Sequence, residues 1–306
     1  MKPQDESPAL DSGMAENTPP QKGWFKRLVA QEDLNFLLTN RVPRIALTKA
    51  MGRFSRIESP LLTKLTIAVW RWFIPLDLGE AKHTKFRSLK DCFTRELKPG
   101  SRVFDTRPDV FASPSDAIVG ATGVVECGQV YQAKGFPYEV AELFGPTQDA
   151  SAFEGGRFVT LRLTSAMYHR FHAPADGTVE HVTYLSGDTW NVNPVALKRV
   201  ERLFCRNERA VVRMTLASGH PIALVPVAAI LVASIRLHFL DVLLHLGRKG
   251  ANEMPCSAPH VKGQEMGWFE HGSTIIVFVP QGFELAEGIA TGVQIRAGQA
   301  LLRLVS

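Results

Sequence analysis

Three short segments hold residue types able to do covalent chemistry. The densest is YHRFHAPADG, residues 168–177, where His169 and His172 stand three apart beside a Tyr and an Arg. Imidazole titrates near neutral pH, so either His is a candidate proton acceptor or donor, with a structural role as the ordinary alternative. In an extended or turning segment that spacing forces no shared face, so it does not call for a metal site. The second segment is KGQEMGWFEHGSTIIVF, residues 262–278, in which Gly272–Ser273 immediately precedes an apolar run. Gly272 tolerates backbone conformations that other residues resist. A strained bend there would expose its carbonyl to the Ser273 hydroxyl, the arrangement an N-to-O acyl shift requires. Gly-Ser-Thr is also a common turn, and it is not the Gly-x-Ser-x-Gly elbow of α/β hydrolases. The third is Asp116 in SPSDA, residues 113–117, which alone reads as a turn or capping carboxylate. Asp116, His172 and Ser273 have the chemical types of an acid–base–nucleophile relay, but linear order does not show whether they meet.

A β-rich region must position these residues. FVTLRL (158–163), TVEHVTYL (178–185), AVVRMTL (210–216), TIIVFVP (274–280) and ALLRLVS (300–306) predict strands. PIALVPVAAILVASIRL (221–237) predicts a buried sheet segment too short to span a membrane, and 247–263 reads as a Gly- and Pro-containing loop. SPSDAIVG (113–120) and APADGTVE (173–180) share a turn feeding a strand, as paired turns do in biotinyl and lipoyl carriers. The expected class is therefore α+β, with N-terminal amphipathic helices on a β-rich core of barrel-sandwich-hybrid character.

The N-terminal third has a different texture. Residues 1–21 are polar and Pro-containing, too poor in apolar surface to offset the entropy of ordering, so a disordered tail is expected. From Trp24 to about Leu78, apolar residues at helical spacing alternate with Lys and Arg. The clearest helix starts at Ser59-Pro60, an N-cap followed by Pro at the first helical position. Its apolar face would carry Leu61, Leu65, Ala68, Val69, Trp72 and Phe73, but Lys64 and Arg71 interrupt it well short of a membrane span. It could lie in a membrane interface or pack on the protein's own core. The net charge of +5 is concentrated here: residues 22–64 hold nine Lys/Arg against Glu32, Asp33 and Glu58. Cys92, Cys127, Cys205 and Cys256 are scattered, which suits a reducing compartment and predicts neither a disulfide framework nor a zinc site. No secretory signal pattern opens the sequence, so the cytoplasmic side is expected. The expected organisation is a tail at 1–21, a basic helical membrane-associating region at 22–100 and a catalytic region at 101–306.

Taken together and in order, SPSDA, QAKGFPYEVAELFG (132–145), LTSAMYHRFHAPADGTV (163–179), GDTWNVNPVAL (187–197), LFCRNERAVV (203–212), KGQEMGWFEHGSTIIVF and AGQAL (297–301) resemble the phosphatidylserine decarboxylases. The resemblance covers roughly residues 60–305. It implies a proenzyme that cuts itself between Gly272 and Ser273 into chains 1–272 and 273–306, which stay together as a heterodimer and leave room for a higher oligomer. Ser273 would become a covalent pyruvoyl (pyruvate-derived) cofactor that condenses with the amine of phosphatidylserine and accepts electrons as CO2 leaves. Asp116 would orient and electrostatically support His172, His172 would take the Ser273 proton, and His169 would be the proton donor in decarboxylation. The substrate sits in an anionic membrane, giving the basic helices a peripheral attachment role at the cytoplasmic face of the cell membrane; nucleic acid is not an expected partner. Two departures stand out: His271 precedes Gly272 where the family usually has Leu, and Ala117 follows Asp116 where Gly is common.

Overall fold

The computed structural model describes Asp33, Phe36 and residues 42–133, 136–231, 234–270 and 273–305. The expected tail at 1–21, most of the helical stretch before residue 42, and His271 with Gly272 lie outside the described residues.

Three helices form the N-terminal layer: α1 (Arg44–Ser55), α2 (Pro60–Arg71) and α3 (Leu89–Phe93). Helix α2 begins where the sequence places it, with the Ser59 hydroxyl accepting from the Leu62 N–H at 3.4 Å. The two faces of α2 are occupied unexpectedly. Thr63 and Ile67 are buried, whereas Leu61, Leu65, Ala68, Val69, Trp72 and Phe73, the apolar face, are all exposed. Ile67 packs instead into a small separate cluster with Leu76, Leu78, Phe86, Leu89 and Phe93. Among the described residues no helix is long and apolar enough to cross a membrane.

The rest is β-rich. In chain order the strands are β1 (Val110–Ala112), β2 (Ala117–Val124), β3 (Gln129–Ala133), β4 (Phe136–Glu139), β5 (Arg157–Arg162), β6 (Arg170–His172), β7 (Gly177–Leu185), β8 (Arg209–Leu216) and β9 (Pro221–Val227). They continue with β10 (Ile235–Leu237), β11 (Val242–Leu244), β12 (Glu253–His260), β13 (Glu265–Phe269), β14 (Thr274–Val279), β15 (Phe283–Leu285), β16 (Gln294–Ile295) and β17 (Ala300–Leu304). The principal sheet has the order β12-β7-β8-β9-β14-β5-β2-β16, and a second is β11-β10-β13-β6. A three-stranded sheet β1-β17-β15 and the hairpin β3-β4 complete the set. All these ladders are antiparallel. The α+β class holds, with few helices on mostly antiparallel sheet. The strand orders close no barrel, so the barrel-sandwich hybrid expected from the paired turns does not emerge from the ladders.

Two local expectations are corrected. The apolar run 221–237 is two strands in two different sheets, β9 and β10, because the chain leaves the main sheet after Val227. Residues 247–263 are not one loop: β12 occupies 253–260 at the edge of the main sheet, where Pro255 and Pro259 cost fewer ladder bonds than in a central strand. Conversely, β14 is central, paired to β9 on one side and β5 on the other, and all six of its residues are buried. Burial on both faces explains why its sequence is a continuous apolar run rather than an alternation.

Candidate active site

Register brings the candidate residues to one end of the main sheet. Ile118 of β2, Thr274 of β14 and Val227 of β9 lie in one row across Arg162 of β5. Asp116 therefore enters β2, and Ser273 enters β14, at the edge where β5 and β9 leave. Ser273 is locked there by its own backbone: its N–H donates to the Leu163 carbonyl at 3.1 Å, and its carbonyl accepts from Leu163 N–H at 2.8 Å. His172, the last residue of β6, is tied to the same corner by its N–H, which donates to the Pro114 carbonyl at 2.8 Å.

Ser273 is 0% exposed, and its hydroxyl has no hydrogen-bond partner among the described residues. Burying a hydroxyl without a partner costs free energy; Ser273 shares that state with Ser115, Ser234 and Thr274, and what sets it apart is its place directly after Gly272. The buried His172 has both ring nitrogens engaged. Nδ1 lies 2.9 Å from the Gly263 carbonyl, and Nε2 lies 3.0 Å from the Tyr168 hydroxyl. A carbonyl only accepts, so the proton of neutral His172 sits on Nδ1 and Nε2 is the basic lone pair. Tyr168 donates to that lone pair; burial raises its hydroxyl above the ordinary phenol range and keeps it protonated. Burial also holds His172 below its usual 6.5, against the opposing pull of the Gly263 hydrogen bond. The imidazole is thus a free base at neutral pH. Gly263 is required at this point: it has φ +85°, and a Cβ would sit 2.9 Å from the Phe104 ring, which itself packs against His172 at 5.3 Å between centroids.

Asp116 makes no hydrogen bond to His172 among the described residues, and of the support expected from it the electrostatic part has an observation behind it. Its carboxylate is taken by Arg102, with Nε donating to Oδ1 at 2.7 Å and Nη2 to Oδ2 at 2.5 Å. The Ala297 N–H adds a third bond at 2.9 Å. Arg102 also reaches Glu80 at 2.8 Å. A planar guanidinium facing a carboxylate across two parallel bonds outcompetes an imidazole for the same oxygens. Asp116 acts on His172 through its field, favouring the charged form, rather than by contact. His169 is fully buried, with its ring edge-on to Phe93 of α3 at 5.6 Å, so the helical layer covers this second imidazole.

Tyr168, Arg102 and Gly263 were not singled out from sequence. Tyr168 is inside the His motif, and its spacing of four from His172 was the available signal; Arg102 carries none. The NER segment (207–209) is scaffolding. Asn207 bridges Trp190 and Ala228, and Arg209 donates to the carbonyls of Leu143, Cys205 and Glu142, which pins the exit of β9 beside β14. Glu208 between them accepts from the Tyr184 hydroxyl at 2.5 Å, and burial pushes its carboxyl up to about 7.

Two cavities meet at the Thr164–Tyr168 loop. One of about 590 Å³ is lined mainly by apolar side chains, including Val69, Trp70 and Phe73 from the helical layer, together with Leu163, Ala229 and Leu231. The other, about 690 Å³, contains Asp116, Arg95, Arg102, Tyr168 and Arg296. They share Phe73, Ile74, Thr164 and Ser165, and Leu163 in the first is the residue that holds Ser273.

Comparison with known proteins gives one consistent result. The family described as phosphatidylserine decarboxylase matches residues 89–303. Among similar proteins, the phosphatidylserine decarboxylase proenzyme of Brevibacillus brevis is 34% identical over 270 residues, covering 86% of this chain and 95% of its own length. That of Shewanella frigidimarina is 34% identical over 288 residues, covering 89% of this chain and 99% of its own length. That of Shewanella amazonensis is 34% identical over 278 residues, with 86% and 96% covered.

Proposed function

The chain belongs to the phosphatidylserine decarboxylase family, and on that premise we propose that it matures by self-cleavage at Gly272–Ser273 and then decarboxylates phosphatidylserine to phosphatidylethanolamine at the new terminus. The observation that carries the proposal is the Ser273 hydroxyl, buried and without a partner among the described residues, at the start of the central strand β14 and directly after Gly272.

The steps assigned to the chain's own residues are these. His172 Nε2, released from Tyr168, takes the Ser273 Oγ proton while Oγ bonds to the Gly272 carbonyl carbon. The C–N bond then breaks, its nitrogen gains a proton, and an ester replaces the peptide link. Loss of the residue-273 α-proton expels the Gly272 carboxylate together with the former Oγ and leaves dehydroalanine. Addition of water and release of ammonia convert that residue into the pyruvoyl group at the head of chain 273–306. Pyruvoyl, once present, supplies an electron sink for loss of CO2 from the bound amine. His169, buried under α3, is the residue we assign to return the proton. The pairing of β14 on both sides supports retention of the small chain after cleavage as a heterodimer with chain 1–272.

The lipid is placed by the helical layer. Leu61 and Trp72 are each 80% exposed on α2, and Val69 and Phe73 of the same face also line the apolar cavity that ends at Leu163. This supports a region before about residue 100 that lies on an anionic membrane and feeds substrate from it, as a peripheral attachment at the cytoplasmic face. Two rivals are disfavoured. A hydrolase with intact Ser273 predicts an unbroken chain, whereas the similar proteins are proenzymes; a carrier module needs a Lys at the turn, and neither SPSDA nor APADG has one.

The test is CO2 release from carboxyl-labelled phosphatidylserine in mixed micelles. Wild type should release CO2 and no free fatty acid, and Ser273→Ala should do neither. Fatty-acid release abolished by Ser273→Ala would favour the hydrolase and overturn the proposal.

A further inference from the structure

The mechanism leaves the buried carboxylate of Glu270 unused. Glu270 is 0% exposed and lies two residues before Gly272. Among the described residues, the cations paired with it come from the helical layer. Arg56, just past the end of α1, donates Nη2 to Oε2 at 3.0 Å, and Lys90 of α3 brings Nζ within 3.1 Å of Oε1. The Glu270 N–H donates to the Ser234 carbonyl at 3.1 Å. A carboxylate is expensive to bury unless paired, so Glu270 is inside only because these helices are docked.

Three residues further on, Ser273 is held by both of its backbone bonds to Leu163. The span containing the Gly272–Ser273 link is therefore fixed at its downstream end by the sheet and at its upstream end by the helices. Helix α3 makes the connection tighter. Its Phe93 lies 5.6 Å from the His169 ring and 4.5 Å from the Trp70 ring of α2, so one short helix touches the upstream anchor, the second His and the exposed apolar helix. Reactive backbone geometry persists only where the surroundings over-determine it.

We propose that Glu270 is a positioning residue for self-cleavage, gripped by Arg56 and Lys90 so that the Gly272–Ser273 link meets its nucleophile only when the helical layer is docked. The inference rests on the self-cleavage reading above. Glu270 exchanges no proton and forms no bond; Ser273 and His172 keep those roles. Once the link is cut there is no bond left to position, so turnover of phosphatidylserine should depend on Glu270 far less than maturation does.

The test is a cleavage time course of the full chain made by cell-free synthesis, read on gels, for wild type, Glu270→Gln, Arg56→Met/Lys90→Met and Arg56→Lys. Loss of the grip should slow cleavage about tenfold to a hundredfold, the scale of an ångström-sized misplacement. Arg56→Lys, which keeps the charge, should cleave close to wild type. CO2 release per cleaved molecule should stay near wild type in the variants, whereas the melting temperature should fall in Arg56→Met/Lys90→Met, which leaves Glu270 buried and unpaired, and fall less in Glu270→Gln. If the Arg56/Lys90 variant, which leaves a buried carboxylate unpaired, does not fold, Glu270→Gln and Arg56→Lys carry the test. Cleavage at the wild-type rate in the variants would overturn the inference, as would slowing matched by an equal loss in CO2 release per cleaved molecule. A wild-type chain that is never cut would instead refute the self-cleavage reading itself.

Discussion

Replacing Tyr168 by Phe separates the observed arrangement from a simple Asp–His–Ser relay. The Tyr168 hydroxyl lies 3.0 Å from His172 Nε2, the lone pair that must receive the Ser273 proton. In the resting site that lone pair is capped, and uncapping it costs about one net hydrogen bond, ~1 kcal/mol. Deleting the hydroxyl removes that cost, so above the acid limb cleavage should hold its rate or rise by up to roughly fivefold. The same deletion has an opposite effect on pH dependence. Burial already holds His172 below 6.5, which puts the acid limb of cleavage below that pH. Tyr168 donates only to neutral imidazole and so contributes to the depression. Losing ~1 kcal/mol of that preference moves the limb up by about 0.7 pH unit. The assay is the cleavage rate of freshly synthesised chain from pH 5 to 8.5, with both the high-pH plateau and the midpoint fitted. A plateau reduced tenfold with an unmoved midpoint would refute this reasoning and make Tyr168 a required part of the relay.

Other predictions follow from the same geometry. Arg102→Met leaves Asp116, whose side chain is only 10% exposed, with a single backbone donor; breaking such a buried pair costs about 3–5 kcal/mol. Urea unfolding of the uncleavable Ser273→Ala chain should show that loss, and adding Asp116→Asn should recover part of it. Glu208 is raised from 4.5 to about 7, so its contribution to stability is fully present below pH 4.5 and is lost as pH rises through about 7. Glu208→Gln should abolish that loss, a relative gain of up to ~3 kcal/mol at pH 8, seen as a flatter melting temperature against pH. Changing Leu61, Leu65 and Trp72 together to Ser should leave the melting temperature in place, because all three are exposed. At ~2–4 kcal/mol of lost burial, flotation with anionic vesicles should weaken by roughly thirtyfold or more; unchanged flotation would remove α2 from the attachment surface.

What the sequence made legible was local. The start of α2 needs only Ser59, Pro60 and the next turn, and β5, β7, β8, β14 and β17 announce themselves by composition. Tertiary choices were not legible. The break after Val227 depends on which sheet accepts each half of an apolar run, and β12 depends on an edge that tolerates Pro255 and Pro259. The outward apolar face of α2 obeys the same periodicity as an inward one, so pattern alone left interface and core equally open. At the site, the chemistry-bearing types Asp116, His172 and Ser273 could be picked out; register sets Asp116 and Ser273 at one end of the main sheet, and the His172 N–H bond to Pro114 ties β6 to the segment that carries Asp116. Their partners could not be picked out. Arg102 is fourteen residues from Asp116 and Gly263 ninety-one from His172, and only the folded sheet decides that the guanidinium, not the imidazole, holds the carboxylate.

The central claim is the conversion of Ser273, and intact mass spectrometry of the purified wild-type chain tests it most directly. The account predicts two chains, 1–272 and 273–306, with the smaller lighter by one ammonia than a serine-headed peptide and gaining two hydrogens on borohydride reduction. A single uncut chain, or a small chain that begins with a free serine amine, would contradict it.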